Sequence, residues 1–126
     1  MKVRIAALAA VLVLSTSSFS LLADNYDTFG AIAYSKRTHR YGYSTNEGSR
    51  RDAEQTALGQ CRASDCRIQV WFRNSCAAFA VGNGGDATGW AYDQNPRKAR
   101  LRALNECKKR ANDCRVLIEA CSSEDE

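Results

Sequence analysis

The chain has 126 residues, of which 44% are hydrophobic and 25% are charged, and it contains six cysteines and one proline. That length fits one compact domain and is too short for two ordinary ones. The balance of apolar and charged residues excludes a disordered or collagen-like chain. Composition alone indicates no activity.

The N-terminal segment has the layout of a secretory signal peptide. Two basic residues, Lys2 and Arg4, precede an apolar run at 5–14, and a small polar stretch follows. The run is too short to span a bilayer comfortably, so we expect cleavage after Ala23 or after Ser20 and not a membrane anchor. No later stretch is apolar enough to cross a membrane. The mature chain is therefore predicted to be exported to the periplasm or secreted.

All six cysteines lie after this segment, and an even number in an oxidising compartment predicts three disulfides. A zinc site is the alternative. It is disfavoured because the spacings are C-x4-C and C-x6-C and the single histidine, His39, is far away. We therefore expect neither a metal nor another cofactor.

An internal repeat with an offset of 46 to 48 residues is the most informative pattern in the chain. The glycine- and alanine-rich start, the helix that ends in cysteine and the Asp-Cys-Arg motif recur in the same order. The matching pairs are 29–35 with 76–82, 53–61 with 99–107, and 65–68 with 113–116. We therefore divide the chain into a signal peptide (1–23), one domain (24–121) that contains repeat one (about 26–75) and repeat two (about 76–121), and an acidic tail (122–126).

In repeat one, residues 29–35 and 40–45 have the composition of a hairpin. Ser49, with Asp52 three residues later, is a good helix N-cap. The following alanines recur at helical spacing, and residues 66–73 alternate as a closing strand.

Repeat two predicts the same elements. Asn95 is the helix cap, and Pro96 occupies the first helical position, where its missing N–H is not needed. Residues 114–120 form the closing strand.

The expected fold is α+β, two pseudo-symmetric β-β-α-β repeats that share one core and are stabilised by disulfides. Glu54 and Arg100 occupy equivalent helix positions, and they pair only if the helices meet at the axis; otherwise they are unrelated surface charges.

The repeat also restricts the pairing of the cysteines. Cys76 and Cys121 have no counterpart in the other repeat, so a symmetric pairing must join them. The other four exchange between repeats, and bonds within or between the repeats are both symmetric. We favour bonds that tie each helix end to the following strand. The favoured set is Cys61–Cys66, Cys107–Cys114 and Cys76–Cys121.

These motifs resemble a known family. The Gly-Ala-Ile-Ala-Tyr-Ser start at 30–35, the Tyr-Gly-Tyr at 41–43 and the Ala-x-x-x-Ala-Leu-x-x-Cys helices at 53–61 and 99–107 are similar to the bacterial domain of unknown function numbered 4189. The likeness covers about residues 26–121. It implies a small exported domain with two strand–strand–helix–strand copies, and it implies no catalytic residues.

The residues assemble no evident catalytic set. A serine hydrolase needs a base, and His39 falls in a predicted hairpin loop. Asp65 and Asp113 occupy equivalent positions before a cysteine, which favours turn formation over acid–base chemistry. The segment 82–86 lacks the lysine and the helix of a phosphate loop and indicates a hairpin turn.

Two surfaces are candidates for binding. Residues 95–115 carry eight basic side chains against two acidic ones, whereas residues 49–67 carry four against three. The fold does not require this charge, so the second helix is either solvated surface or a site for an anionic partner. Trp71 is predicted to point outward beside arginines, as interface anchors do, unless the N-terminal arm covers it. The candidate binding residues are Trp71, Arg67, Arg73, Arg97, Lys98, Arg102, Lys108 and Lys109.

We expect a non-enzymatic exported interaction module whose partner is a protein, for example a periplasmic inhibitor, an immunity-type protein or a secreted effector. The first alternative is a binder of polyanions or anionic membrane surfaces that uses the basic second helix. A cell-envelope hydrolase has less support.

Overall fold

The computed structural model describes residues 26–122, so the predicted signal peptide and all but the first residue of the predicted acidic tail lie outside the described residues. Six strands and two α-helices follow one another in two blocks of strand, strand, helix, strand. They are β1 (Phe29–Tyr34), β2 (Tyr41–Glu47), α1 (Arg50–Cys61), β3 (Arg67–Arg73), β4 (Ser75–Gly82), β5 (Ala87–Asp93), α2 (Pro96–Lys108) and β6 (Arg115–Ser122).

The strands form two antiparallel three-stranded sheets with the orders β2-β1-β3 and β5-β4-β6. In each sheet, the first strand of its block is central and the other two are edges. The mixed α+β architecture therefore agrees with the sequence prediction.

Large side chains fill the space between the two sheets. Ile32 and Tyr34 from β1 meet Phe72 from β3, Phe79 from β4 and Ile118 from β6 in one buried cluster. The outer face of each sheet is covered by the helix of its own block. The molecule is thus built as four layers, helix, sheet, sheet and helix, and both blocks contribute to the central core.

Small side chains line the contact between each helix and its sheet. Ala53 and Ala57 of α1 pack on Ala31 and Ala33 of β1, all four fully buried. Gly42 of β2 lies so close to α1 that a Cβ atom there would overlap the carbonyl oxygen of Ala57. The alanine and glycine positions therefore set the distance between helix and sheet.

Both predicted helix caps are confirmed. The Oγ of Ser49 accepts a hydrogen bond from the N–H of Asp52 at 3.0 Å. The Oδ1 of Asn95 accepts from the N–H groups of the second and third helical residues at 2.9 and 3.3 Å, and Pro96 is the first helical residue. These bonds satisfy N–H groups that a helix start otherwise leaves unpaired.

The structure contains the three disulfides that the repeat favoured. Two of them join a helix end to the segment that follows it, and the third joins opposed residues of β4 and β6. All six cysteines are used, so none is available as a thiolate ligand or nucleophile. The bonds are Cys61–Cys66, Cys107–Cys114 and Cys76–Cys121.

The closing strands do not alternate as predicted, because each contains a register shift. In β3, Val70 lies opposite Ile32 in the central core, whereas Ile68 lies opposite Ala33 and packs beneath α1. A bulge at Gln69 absorbs the extra residue. A matching shift in β6 separates Val116 from the central core.

The ion pair between Glu54 and Arg100 does not form, because the two helices lie on opposite outer layers. Glu54 instead accepts from the Nε of Arg50 at 2.7 Å within α1. The Nη1 of Arg100 lies 2.8 Å from a carboxylate oxygen of Glu119 on β6.

Among residues 26–122, no helix is long and apolar enough to cross a membrane.

Gly42→Ala is expected to lower the free energy of unfolding by about 1–3 kcal/mol, because the added methyl overpacks the helix contact. Gly59→Ala is the matched control, since nothing lies within 4 Å of a Cβ atom there. In the helix it should raise stability by up to about 1 kcal/mol. Urea unfolding followed by circular dichroism measures both, and a Gly42→Ala protein as stable as the wild type would contradict the close approach.

Candidate functional site

An open groove of about 530 Å³ runs along the edge strand β3 and the facing strand β5. Three of its aromatic side chains are largely solvent-accessible, with Trp71, Trp90 and Tyr92 exposed by 38%, 45% and 53%. Exposed aromatic side chains concentrated in one concavity are unusual outside binding surfaces. We call this surface the aromatic groove, and it is lined by Gln69, Val70, Trp71, Phe72, Arg73, Trp90 and Tyr92.

Trp71 points away from the central core, as the sequence predicted. It lies opposite Ala31, on the sheet face that carries α1. Its ring stacks on Phe29 with 6.5 Å between centroids, and the guanidinium carbon of Arg50 lies 4.4 Å from the ring centroid. Tyr26 of the N-terminal arm is itself 71% exposed. Trp71 is therefore held from one side by Phe29 and Arg50 and keeps an accessible face.

Two of the three predicted residues on β3 come together in the groove, and one does not. Arg73 lines the groove beside Trp71, and its guanidinium lies 3.7 Å from the carboxylate of Asp27. Arg67 lies opposite Tyr34, whose side chain is in the central core, so the bulge places Arg67 on the other sheet face. The predicted grouping of Arg67 with Trp71 is therefore wrong.

Trp90 and Tyr92 are groove residues that the sequence reasoning missed. Along β5 they alternate with the buried residues Gly89 and Ala91, which face α2. The aromatic side chains must then point to the other face, toward β3. Small residues alternating with aromatic ones in 87–92 are the signal that indicates this placement.

A second concavity of about 840 Å³ lies along the outer edge of β5 beside α2. It shares Gln69, Trp90 and Tyr92 with the aromatic groove, and apart from Gly89 and Ala91 its other lining residues are polar or charged. We call it the polar trough, and its remaining polar side chains are Lys36, Asp86, Thr88, Arg102, Asn105, Glu106 and Arg110.

Two arginines of the polar trough cap backbone carbonyls of β5. The Nη1 of Arg102 donates to the carbonyl of Tyr92 at 3.1 Å, and the Nη1 of Arg110 donates to that of Thr88 at 3.1 Å. Because β5 is an edge strand, these carbonyls have no neighbouring strand. The arginines therefore block strand addition at this edge.

The basic side chains predicted to form a cationic face on the second helix differ in their contacts. Arg102 also lies 3.5 Å from the carboxylate of Asp93, and Lys109 lies 2.9 Å from that of Glu106. The hydrogen bond and charge of Lys109 hold the pKa of Glu106 below its ordinary value. The other three predicted cations are exposed, and within residues 26–122 they form no ion pair; they are Arg97, Lys98 and Lys108.

A known protein family and a solved structure are similar to this chain. The sequence profile described as "Domain of unknown function (DUF4189)" matches residues 29–121. The chain belongs to the DUF4189 family. The NMR structure of Rv1813c from Mycobacterium tuberculosis is similar, with a TM-score of 0.59 and 24% identity over 97% of this chain and 98% of that chain. That likeness supports the fold alone. No curated protein sequence matches the chain.

In this DUF4189 domain, His39 belongs to the β1–β2 hairpin loop and its ring lies against the β4–β5 hairpin loop. Its ring stacks on Tyr34 with 6.3 Å between centroids, and its Nε2 lies 3.8 Å from the carboxylate of Asp86. The hydroxyl of Tyr34 donates to the carbonyl of Gly85 at 2.7 Å, and burial raises the pKa of Tyr34. The Oγ1 of Thr38 bonds the hydroxyl of Ser35 at 2.9 Å. These hydroxyl groups hold the loops, so the contacts support a structural role for His39.

Asp65 and Asp113 lie in the short segments between each helix and its closing strand, and the carboxylate of each reaches a hairpin 30 positions earlier. Asp65 accepts from the hydroxyl of Ser35 at 2.7 Å in the β1–β2 hairpin. Asp113 accepts from the N–H of Asn83 at 2.7 Å in the β4–β5 hairpin. Each carboxylate therefore ties a hairpin turn to the segment before the closing strand.

Asp65→Asn is expected to destabilise the DUF4189 domain at neutral pH. The hydrogen bond from Ser35 holds the pKa of Asp65 below its ordinary value of 3.8. A lowered folded-state pKa contributes stability above the unfolded-state value, and this contribution disappears as the pH falls through the folded-state value. Urea unfolding from pH 7 to pH 2 should show the wild type and variant converging in acid. A difference that stays constant with pH would contradict this role.

Proposed function

We propose that the protein is a non-enzymatic exported module that binds a protein partner through the aromatic groove. The observation that carries this proposal is that Trp71 and Arg73, on the α1 face of the edge strand β3, and Trp90 and Tyr92, on the facing side of β5, line one accessible groove. Tryptophan, tyrosine and arginine are the residues most enriched where alanine substitution most weakens protein interfaces. Large aromatic side chains also bury much area at low entropic cost.

The partner is expected to present an apolar centre with an acidic rim. Apolar side chains complement the exposed rings, and a carboxylate complements Arg73, whose contact with Asp27 is long at 3.7 Å. Strand addition is disfavoured because β3 carries a bulge and β5 carries the capping arginines. The partner therefore binds side chains and not a strand edge.

We also propose that the protein is exported and that its two blocks arose by duplication. Three disulfides with no free cysteine support an oxidising compartment, and the predicted signal peptide provides the route. The repeated element order, the matched sheet orders and the two matched helix-end disulfides support two copies of one ancestral unit about an approximate two-fold axis.

The alternative functions have weaker support. An extended polyanion or a membrane surface bound along the whole exposed face of α2 has weaker support, because Arg100 and Lys109 already have carboxylate partners. A cell-envelope hydrolase has weaker support because the carboxylates of Asp65 and Asp113 accept hydrogen bonds that tie hairpins in place.

The double variant Trp71→Ala with Arg73→Ala is expected to lose a partner that the wild type binds. The oxidised protein from residue 24 onward is immobilised, and proteins are captured from the envelope fraction of its own bacterium. Tyr43→Ala with Arg51→Ala is the matched control, because Tyr43 is 44% exposed and both residues lie outside the groove. Circular dichroism verifies that each variant is folded.

The proposal requires direct binding as well as capture. A partner captured by the wild type and the control is purified and titrated, and the groove variant should bind it about 100-fold more weakly or worse. Equal binding by the groove and control variants would reject the aromatic groove as the site.

The natively exported protein is expected to begin at Asp24 or Leu21 and to contain no free thiol. N-terminal sequencing of protein from the periplasm or the medium measures the first, and alkylation under denaturing, non-reducing conditions measures the second. Recovery only from the cytoplasm, or labelling of the cysteines before reduction, would contradict export.

A further inference from the structure

The polar trough has a chemistry different from that of the aromatic groove. Trp90 presents an accessible ring at 45% exposure, and most of the remaining lining can donate or accept hydrogen bonds. An apolar ligand would leave these polar groups unpaired, at a cost in affinity. The trough therefore suits a ligand with both a small apolar face and many hydroxyl groups.

Two guanidinium groups provide pre-positioned donors. Arg102 and Arg110 are fixed through Nη1 on the carbonyls of Tyr92 and Thr88, which are four residues apart on β5, or about 13 Å. Within residues 26–122, their Nε and Nη2 groups form no hydrogen bond. These fixed groups are suited to bind carboxylates, because a guanidinium group presents parallel donors.

Hydrogen-bond acceptors line the same trough. The carboxylates of Glu106 and Asp86 and the amide of Asn105 accept hydrogen bonds from hydroxyl groups. A glutamate or aspartate peptide has carboxylates for the arginines, but it has no hydroxyl groups to donate to Glu106 and Asp86 and no ring to pack on Trp90. A saccharide chain with acid groups supplies all three, because its hydroxyl groups donate as well as accept and its C–H face packs on an aromatic ring.

We propose that the polar trough binds a carboxylate-bearing saccharide chain, with a ring on Trp90 and acid groups on Arg102 and Arg110. This is a second binding activity, and it does not rest on the protein partner of the aromatic groove. Trp90 and Tyr92 belong to both surfaces, so the substitutions that test the site are made at residues that belong to the trough alone.

The test is a titration of the ¹⁵N-labelled oxidised protein with three probes at one salt concentration. The probes are a mannuronate hexamer, which carries a carboxylate on every ring, maltohexaose, which is neutral, and hexaglutamate, which has carboxylates but no rings. The mannuronate hexamer should shift the Trp90 indole N–H resonance saturably, and each of the other two should bind at least about tenfold more weakly.

Arg102→Ala with Arg110→Ala should weaken mannuronate binding by about tenfold or more. Arg97→Ala with Lys98→Ala is the matched control, because it removes the same charge from the exposed start of α2 outside the trough. Arg102→Lys with Arg110→Lys keeps the charge and removes the guanidinium geometry, so it should also weaken binding.

Four outcomes would overturn the proposal. They are no saturable shift up to about 10 mM mannuronate hexamer, equal weakening by the control variant, wild-type affinity in the lysine variant, and hexaglutamate binding as tightly as the saccharide. The last result would assign the trough to acidic peptides instead. Failure to capture a protein through Trp71 and Arg73 would leave this result unaffected.

Discussion

The close approach of each helix to its sheet is the contact on which the rest of the structure depends. Alanines on the helix meet alanines and a glycine on the strands, and a Cβ atom at Gly42 or Gly89 would overlap the helix backbone. Such small side chains bury little apolar area each. The large side chains are therefore concentrated between the two sheets, and the disulfide that ends each helix fastens the thin outer layer to the following segment.

The close approach of α2 to its sheet also determines where the aromatic groove forms. Because Gly89 and Ala91 must face α2, the side chains of Trp90 and Tyr92 must face the other side of β5. They lie there beside β3, the edge strand of the opposite sheet, and remain about half exposed. The aromatic surface is thus a consequence of strand alternation at an edge, where the central core no longer covers the rings.

Contacts between residues close in the sequence were predictable, whereas the register between distant strands and the contacts that depend on it were not. The caps at Ser49 and Asn95 depend on residues within a few positions, whereas the bonds of Asp65 to Ser35 and of Asp113 to Asn83 join residues 30 positions apart. The bulge at Gln69 depends on how β3 is registered against β1, more than 30 positions earlier, and no local pattern specifies that register. The partners of the helix cations similarly depend on which sheet edge each helix covers.

The two blocks differ at one pair of matching positions on their closing strands. Trp71 on β3 and Glu119 on β6 both lie opposite an alanine beneath a helix. Glu119 is paired with Arg100 at 2.8 Å, which gives that edge a self-contained polar surface. Trp71 is held by Arg50 and Phe29 and keeps an exposed apolar face. The two blocks thus place different residues beneath a helix, an acid that is paired within its own block and a tryptophan that stacks on its own block and still keeps an exposed face.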